Sequence, residues 1–148
     1  SLIPHYVRVR AGHKFGPQTL EDGMQKDGLV DVYDQNAMGT CADLCAREHN
    51  FSREDQDAYA IQSYERSANA WSNGKFDNEV VPVAVPQRRG EPVIISEDEE
   101  YKNVKMEKIP ALRPAFSKDG TVTAANASTI NDGAGAVVVM SAEKAKDL

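Results

Sequence analysis

From residue 52 onward, apolar side chains recur at helical intervals: Ala58, Ile61, Tyr64, Ala68 and Trp71 step by three, three, four and three. That spacing predicts one long amphipathic helix with these residues on its inward face. Ser52 supplies the start, because its side chain can accept the amide of Asp55 while the Asp55 carboxylate reaches back. Asn73-Gly74 supplies the stop. Upstream, Met38, Cys41, Ala42, Cys45 and His49 follow the same steps and predict the inward face of a helix that begins at Gly39-Thr40 and closes at Asn50 and Phe51. A shorter helix is expected after Thr19, which can act as its cap with Asp22 three positions on, ending near Lys26-Asp27-Gly28.

Elsewhere the pattern changes to strands. Tyr6-Val7-Arg8-Val9-Arg10 alternates apolar and basic positions, and Ala11-Gly12-His13-Lys14-Phe15-Gly16 follows with turn residues, so a hairpin arm is expected. Val80-Val81-Pro82-Val83-Ala84-Val85 and Pro92-Val93-Ile94-Ile95 read as two strands joined by Gln87-Arg88-Arg89-Gly90, with Pro82 confining the first to an edge. Glu97-Asp98-Glu99-Glu100 reads as an acidic loop, and Thr121-Val122-Thr123-Ala124 as short and extended. Gly133-Ala134-Gly135-Ala136-Val137-Val138-Val139-Met140 is continuously apolar, the pattern of a strand buried on both faces. Ser141 then caps a helix through Lys146. Such a strand needs neighbours on both sides, and the preceding chain offers none of its type; the expectation is one strand of a sheet whose remainder lies elsewhere.

Composition narrows the class. The 148 residues fit one domain, and 41% hydrophobic with 27% charged residues is a globular balance. No apolar run approaches the roughly 20 residues of a membrane helix. A net charge of −6 disfavours nucleic-acid binding. Two basic groupings stand out locally: Arg8, Arg10 and Lys14, and Lys102, Lys105 and Lys108, whose spacing could place three ammonium groups on one side of a turn. Solvated faces explain such runs, and a compact anionic ligand is the alternative. Cys41 and Cys45 make no disulfide framework and fit a reduced, cytoplasmic protein. With His49 they form a four-spaced stripe, but no second Cys/His cluster completes a metal site, so core packing is expected. His5 and His13 read as surface residues. The opening Ser1-Leu2-Ile3-Pro4-His5 has neither a leader pattern nor an initiator Met, which predicts an internal piece of a longer protein.

Two groups of motifs carry a family resemblance. The first is Asp27-Gly28-Leu29-Val30-Asp31, Met38-Gly39-Thr40-Cys41-Ala42-Asp43 and Ser52-Arg53-Glu54-Asp55-Gln56-Asp57-Ala58-Tyr59-Ala60. The second is Leu112-Arg113-Pro114-Ala115-Phe116, Asp119-Gly120-Thr121-Val122-Thr123-Ala124-Ala125-Asn126-Ala127-Ser128 and Asn131-Asp132-Gly133-Ala134. In this order and spacing they resemble the thiolase family over essentially the whole chain, and the second group is the more specific. The resemblance implies an α/β fold, the layered αβαβα thiolase architecture. Residues 1–130 would be its loop domain, with a hairpin arm at about 4–18 and a coenzyme A-binding part at about 36–130. Residues 131–148 would supply one core strand and helix.

The implied chemistry is acyl transfer between thioesters: two acetyl-CoA condense to acetoacetyl-CoA, as in the biosynthetic acetyl-CoA acetyltransferases. A cysteine takes the acetyl group, a histidine activates it, a second cysteine moves the proton that makes the enolate, and an oxyanion hole holds the thioester oxygen. The family's nucleophile lies upstream of the stretch that matches Ser1. Its Asn-Glu-Ala-Phe, Gly-His-Pro and Cys-x-Gly-Gly-Gly motifs lie downstream of Leu148. Cys41 and Cys45 match neither reactive position, so no catalytic residue is assigned and the 148 residues alone are expected to be inactive.

What the resemblance does assign is a grip on the coenzyme. Tyr64 matches a tyrosine that touches CoA and a bound potassium ion. Asn103, Val104 and Lys105 fall on a nucleotide-binding Arg-Val-Asp, differing from it at Asn103 and Lys105, and Lys108 matches a lysine contact. Ser128 matches a serine on the pantetheine arm, with Leu112 and Phe116 offering that arm apolar surface. Met38 and Ala124 complete the CoA set, while Ala37 replaces a histidine found in many thiolases. Carbonyls of Ala124, Ala125 and Ala127, with Tyr64, match a potassium site, and hard oxygens suit a hard cation; a tightly packed Ala-rich loop is the other reading. The arm at 4–18 matches the family's tetramerisation hairpin, so a homotetramer is implied, with a place in short-chain thioester and fatty acid metabolism. The competing expectations are a non-catalytic CoA or acyl-CoA binding module, and an interaction fragment that binds no ligand.

Overall fold

The computed structural model describes residues 3–7, 9, 10, 12, 13 and 15–148. Two helices form its frame. The first, α1, spans Met38–Glu48, and the second, α2, spans Arg53–Ser72. The turn between them holds Asn50 at φ 55°. Ser52 caps α2 as its sequence predicts: the Asp55 amide donates to the Ser52 hydroxyl at 3.0 Å, and the Ser52 amide donates to the Asp55 carboxylate at 3.3 Å. The helix ends at Asn73, with Gly74 at φ +64°.

Against α2 pack a short helix, α3 (Glu100–Asn103), and a 3₁₀ segment, Met106–Ala111. The core is small: Ala46, Ala60, Ile109 and Val122, with Asp57 and Thr123 as buried polar members. The inward face of α2 therefore differs from the predicted stripe. Asp57 and Ala60 are buried, Ile61, Tyr64, Ala68 and Trp71 are half-buried, and Ala58 is exposed. The face has turned because Arg53 and Asp57, which no hydrophobic pattern would place inside, bond the loops packed on α2. On α1 the change is larger. Ala46 is its buried residue, Cys41 is half-buried, and Met38, Ala42, Cys45 and His49 are exposed. The two thiols are free, and the expected core packing of Cys45 is not found. The reason lies in Asp43, whose hydrogen bonds to residues 117–122 turn the Asp43/Ala46 side of α1 toward the rest of the chain.

The strands are short. β1 (His5–Tyr6) pairs antiparallel with β2 (Glu21–Asp22), His5 opposite Asp22. The expected strand over 6–10 is thus confined to its start; Arg8, Ala11 and Lys14 of that arm lie outside the described residues, as do Ser1 and Leu2. Thr19 caps no helix. Asp22 takes the role, accepting the Met24 amide at 2.9 Å ahead of a single wide turn, Gln25–Leu29. Residues 21–22 are occupied by ladder pairing with β1, which moves the helical start past them.

β3 (Val83–Val85) and β4 (Val93–Ile95) form the predicted hairpin, in the register Val83–Ile95, Ala84–Ile94 and Val85–Val93. Pro82 stands just before β3, where its missing amide costs no ladder bond. The predicted acidic loop gives its last residue, Glu100, to α3, and Glu97 pairs with Lys102. The three lysines do not share a helical side. Lys102 belongs to α3, Val104 is extended at φ −69°, ψ 136°, and Lys108 sits in the 3₁₀ segment.

Residues 133–140 form no strand here. Val137, Val138 and Val139 are 87%, 83% and 88% exposed. Among the described residues no strand lies beside them to pair with, as their β-branched run requires. Beyond them α4 (Ala142–Lys146) is capped by Ser141, which accepts the Lys144 amide at 3.1 Å.

Candidate functional site

An open groove of about 1240 Å³ runs between the start of α1, the first half of α2 and residues 126–131. Met38, Phe116 and Ser128, three of the residues expected on the coenzyme, line it together with Tyr59, Asn126 and Ala127. The ring of Phe116 lies so close over Gly39 that a methyl group there would overlap it, so the glycine gives the ring its seat. The groove is apolar along α1 and polar at 126–131.

The other expected residues lie outside this lining. Tyr64 is on α2 with its hydroxyl donating to the Ala125 carbonyl at 3.3 Å. Burial and the nearby Glu100 carboxylate push that phenol above its ordinary value of 10.0, so it stays protonated at neutral pH. Ala124 is exposed, while Ala125 and Ala127 are half-buried in the turn that follows Thr123. Asn103, Lys105 and Lys108 are exposed, and Val104 and Leu112 are half-buried, on the α3 and 3₁₀ side of α2. Among the described residues no group of three or more His, Cys, Asp and Glu is placed to hold a metal. The oxygens of Tyr64 and Ala125 are the donors brought together at the expected potassium position.

Sequence reasoning missed the residues that hold these loops. Arg53 donates from Nε to Asp57 at 2.7 Å and from Nη2 to the carbonyls of Ile109 and Leu112, both at 3.0 Å. The Asn126 amide donates to the other Asp57 oxygen at 2.9 Å and to the Thr121 carbonyl at 3.0 Å, while its own oxygen accepts the Thr123 amide at 2.7 Å. Gln56 and Thr121 exchange side-chain hydrogen bonds. On α1, Asp43 accepts from the Ser117 hydroxyl at 2.5 Å and from the amides of Thr121 and Val122 at 2.8 and 3.0 Å. Burial alone would raise its pKa; these three bonds and the charge of Arg47 outweigh that and hold it below 3.8. The opposite charges of Arg53 and Asp57, four apart on a helix, were the available signal.

With this geometry in view, the comparisons are specific. The family description "Thiolase, N-terminal domain" matches residues 1–143. The chain belongs to the thiolase family. A Staphylococcus aureus protein described as a probable acetyl-CoA acyltransferase is 52% identical over 140 residues, covering 94% of this thiolase chain and 36% of the relative. A thiolase from Ascaris suum, solved in complex with coenzyme A, is 50% identical with a TM-score of 0.73, covering 87% of this chain and 32% of that one. The acetyl-CoA acetyltransferase of Bacillus anthracis superposes with a TM-score of 0.80 at 36% identity, over 97% of this chain and 36% of its own. The α/β thiolase fold expected from the motifs is therefore correct, and this thiolase chain spans about a third of the length of the relatives it matches.

Proposed function

We propose that this chain is the coenzyme-holding part of an acetyl-CoA C-acetyltransferase whose reactive cysteines and histidine lie outside it. In that reaction an enzyme thiolate takes the acetyl group from one acetyl-CoA and releases CoA. The enolate carbon of a second acetyl-CoA then attacks the acetyl carbon, the new C–C bond forms as the C–S bond to the enzyme breaks, and acetoacetyl-CoA leaves. The part of this chain is to orient the thioester against a nucleophile supplied from elsewhere, which lowers the entropic barrier to reaction. Exposed Lys105 and Lys108, with Asn103 and Val104, would take the nucleotide and its phosphates. Leu112, Phe116 and Met38 would flank the pantetheine arm, and the Ser128 hydroxyl would bond one of its amides.

The observation that carries this reading is the groove in which Met38, Phe116 and Ser128 converge. The coenzyme A complex of the Ascaris suum relative supports it. A potassium ion held by Tyr64 and the carbonyls of Ala124, Ala125 and Ala127 would stiffen the same loop. Residues 131–148 would form a core strand and helix once sheet neighbours are present. A homotetramer in the cytoplasm, assembled through the arm at 4–18, completes the proposal.

Calorimetric titration of CoA into the full protein that carries this sequence tests it. Phe116→Ala should weaken binding about tenfold, the loss expected when a partly exposed ring worth about 1.5 kcal/mol of apolar contact is removed. Unchanged affinity in Phe116→Ala and in Ser128→Ala would remove the groove from the reading. CoA binding without acyl transfer would favour the non-catalytic module instead.

A further inference from the structure

Asn126 stands in the lining of the groove, yet every polar atom of its side chain is committed to the protein's own groups. Its amide nitrogen bridges Asp57 and the Thr121 carbonyl, and its oxygen accepts from Thr123. Asp57 is 5% exposed and is held from its other oxygen by Arg53. The same guanidinium clamps the carbonyls of Ile109 and Leu112. One relay therefore runs from the turn before Ser128, through Asn126, Asp57 and Arg53, to the segment that follows Lys105 and Lys108. It crosses the core at Ile109 and Thr123, which are 1% and 0% exposed.

Buried charge-assisted hydrogen bonds of this kind add geometric specificity more reliably than net stability. The two loops that the relay ties are those proposed above to hold opposite ends of one ligand. We infer that Asn126 is a positioning residue which, through Asp57 and Arg53, fixes the spacing between the nucleotide-holding and pantetheine-holding loops. This rests on the coenzyme reading of the groove. A ligand with two ends joined by a flexible arm gains affinity only if both sites sit at the distance its arm can span. Loosening the relay should therefore leave the nucleotide end's own contacts intact and reduce the advantage of having the two ends linked.

The test compares CoA with its separate halves, adenosine 3′,5′-bisphosphate and pantetheine, in the full protein that carries this sequence. Asn126→Ala removes the bridge to Asp57. The expected result is a loss of about tenfold in CoA affinity, with adenosine 3′,5′-bisphosphate, whose proposed contacts lie outside the groove lined by Asn126, binding within about twofold of the unaltered protein. Asn126→Asp retains the acceptor for the Thr123 amide but sets a carboxylate against Asp57, and should show the same pattern where the alanine variant fails to fold. Pairing it with Asp57→Asn restores one donor and acceptor in reversed order and should recover part of the loss. A general loosening of structure would instead weaken CoA and both halves alike, and would not respond to the exchange. That outcome, or CoA affinity unchanged in folded variants, overturns the inference and leaves the coenzyme reading standing. Absence of CoA binding by the unaltered protein overturns both.

Discussion

Asp43 shows how one side chain can fasten a loop whose own sequence has no regular structure. It receives one hydroxyl and two amides from residues 117–122, and adjacent Gly120 has no room for a side chain beside it. Its folded pKa is depressed, so the stability it contributes is present above its ordinary value of 3.8 and is lost as pH falls through the lower, folded value. Thermal midpoints measured from pH 5 downward should drop in that window, and Asp43→Asn should flatten the drop. At neutral pH Asp43→Ala should cost about 2 kcal/mol, since two loop amides lose their acceptor. Asp43 and Asn126 both stood inside the motifs that identified the family, but a motif marks a position without giving its partners. Those partners are 74 to 79 residues away for Asp43 and 69 for the Asn126–Asp57 bond, beyond any local pattern.

Among the secondary-structure elements, α2 was legible because its limits are set by local chemistry. The capping box at Ser52 and Asp55 needs four consecutive residues, and Gly74 needs only its own freedom at positive φ. Ser52→Ala should destabilise the fold by about 1 kcal/mol, read as a shift in the urea midpoint with an unchanged slope. The β3–β4 hairpin was legible for similar reasons. The short helix expected from Thr19 was not, because a two-residue ladder with β1 claimed Glu21 and Asp22 first. The inward faces of α1 and α2 were misjudged for a common reason: each is turned by a buried or half-buried acid that an apolar repeat treats as solvent-facing.

Taken together, the chain has a compact junction around Ile109 and long stretches with little to cover them. Residues 81–100 and 129–148 are exposed throughout. The apolar run 137–139 is the most exposed β-branched segment, and unpaired strand groups of this kind template association. The 148 residues alone should therefore self-associate, and Val138→Lys should shift light-scattering mass toward the monomer. The run Val137-Val138-Val139 reads as a strand in the sequence but forms none, because a β-branched run is held extended by flanking strands and none stands beside it among the described residues. The β3–β4 hairpin has another consequence. Among the described residues its strands contact chiefly each other, and its tip at Arg88-Arg89-Gly90 turns through open solvent with Gly90 at φ +86°. Peptide tags or extra loop length grafted at that tip would be borne by two strands alone, leaving the groove at Met38, Phe116 and Ser128 unburdened.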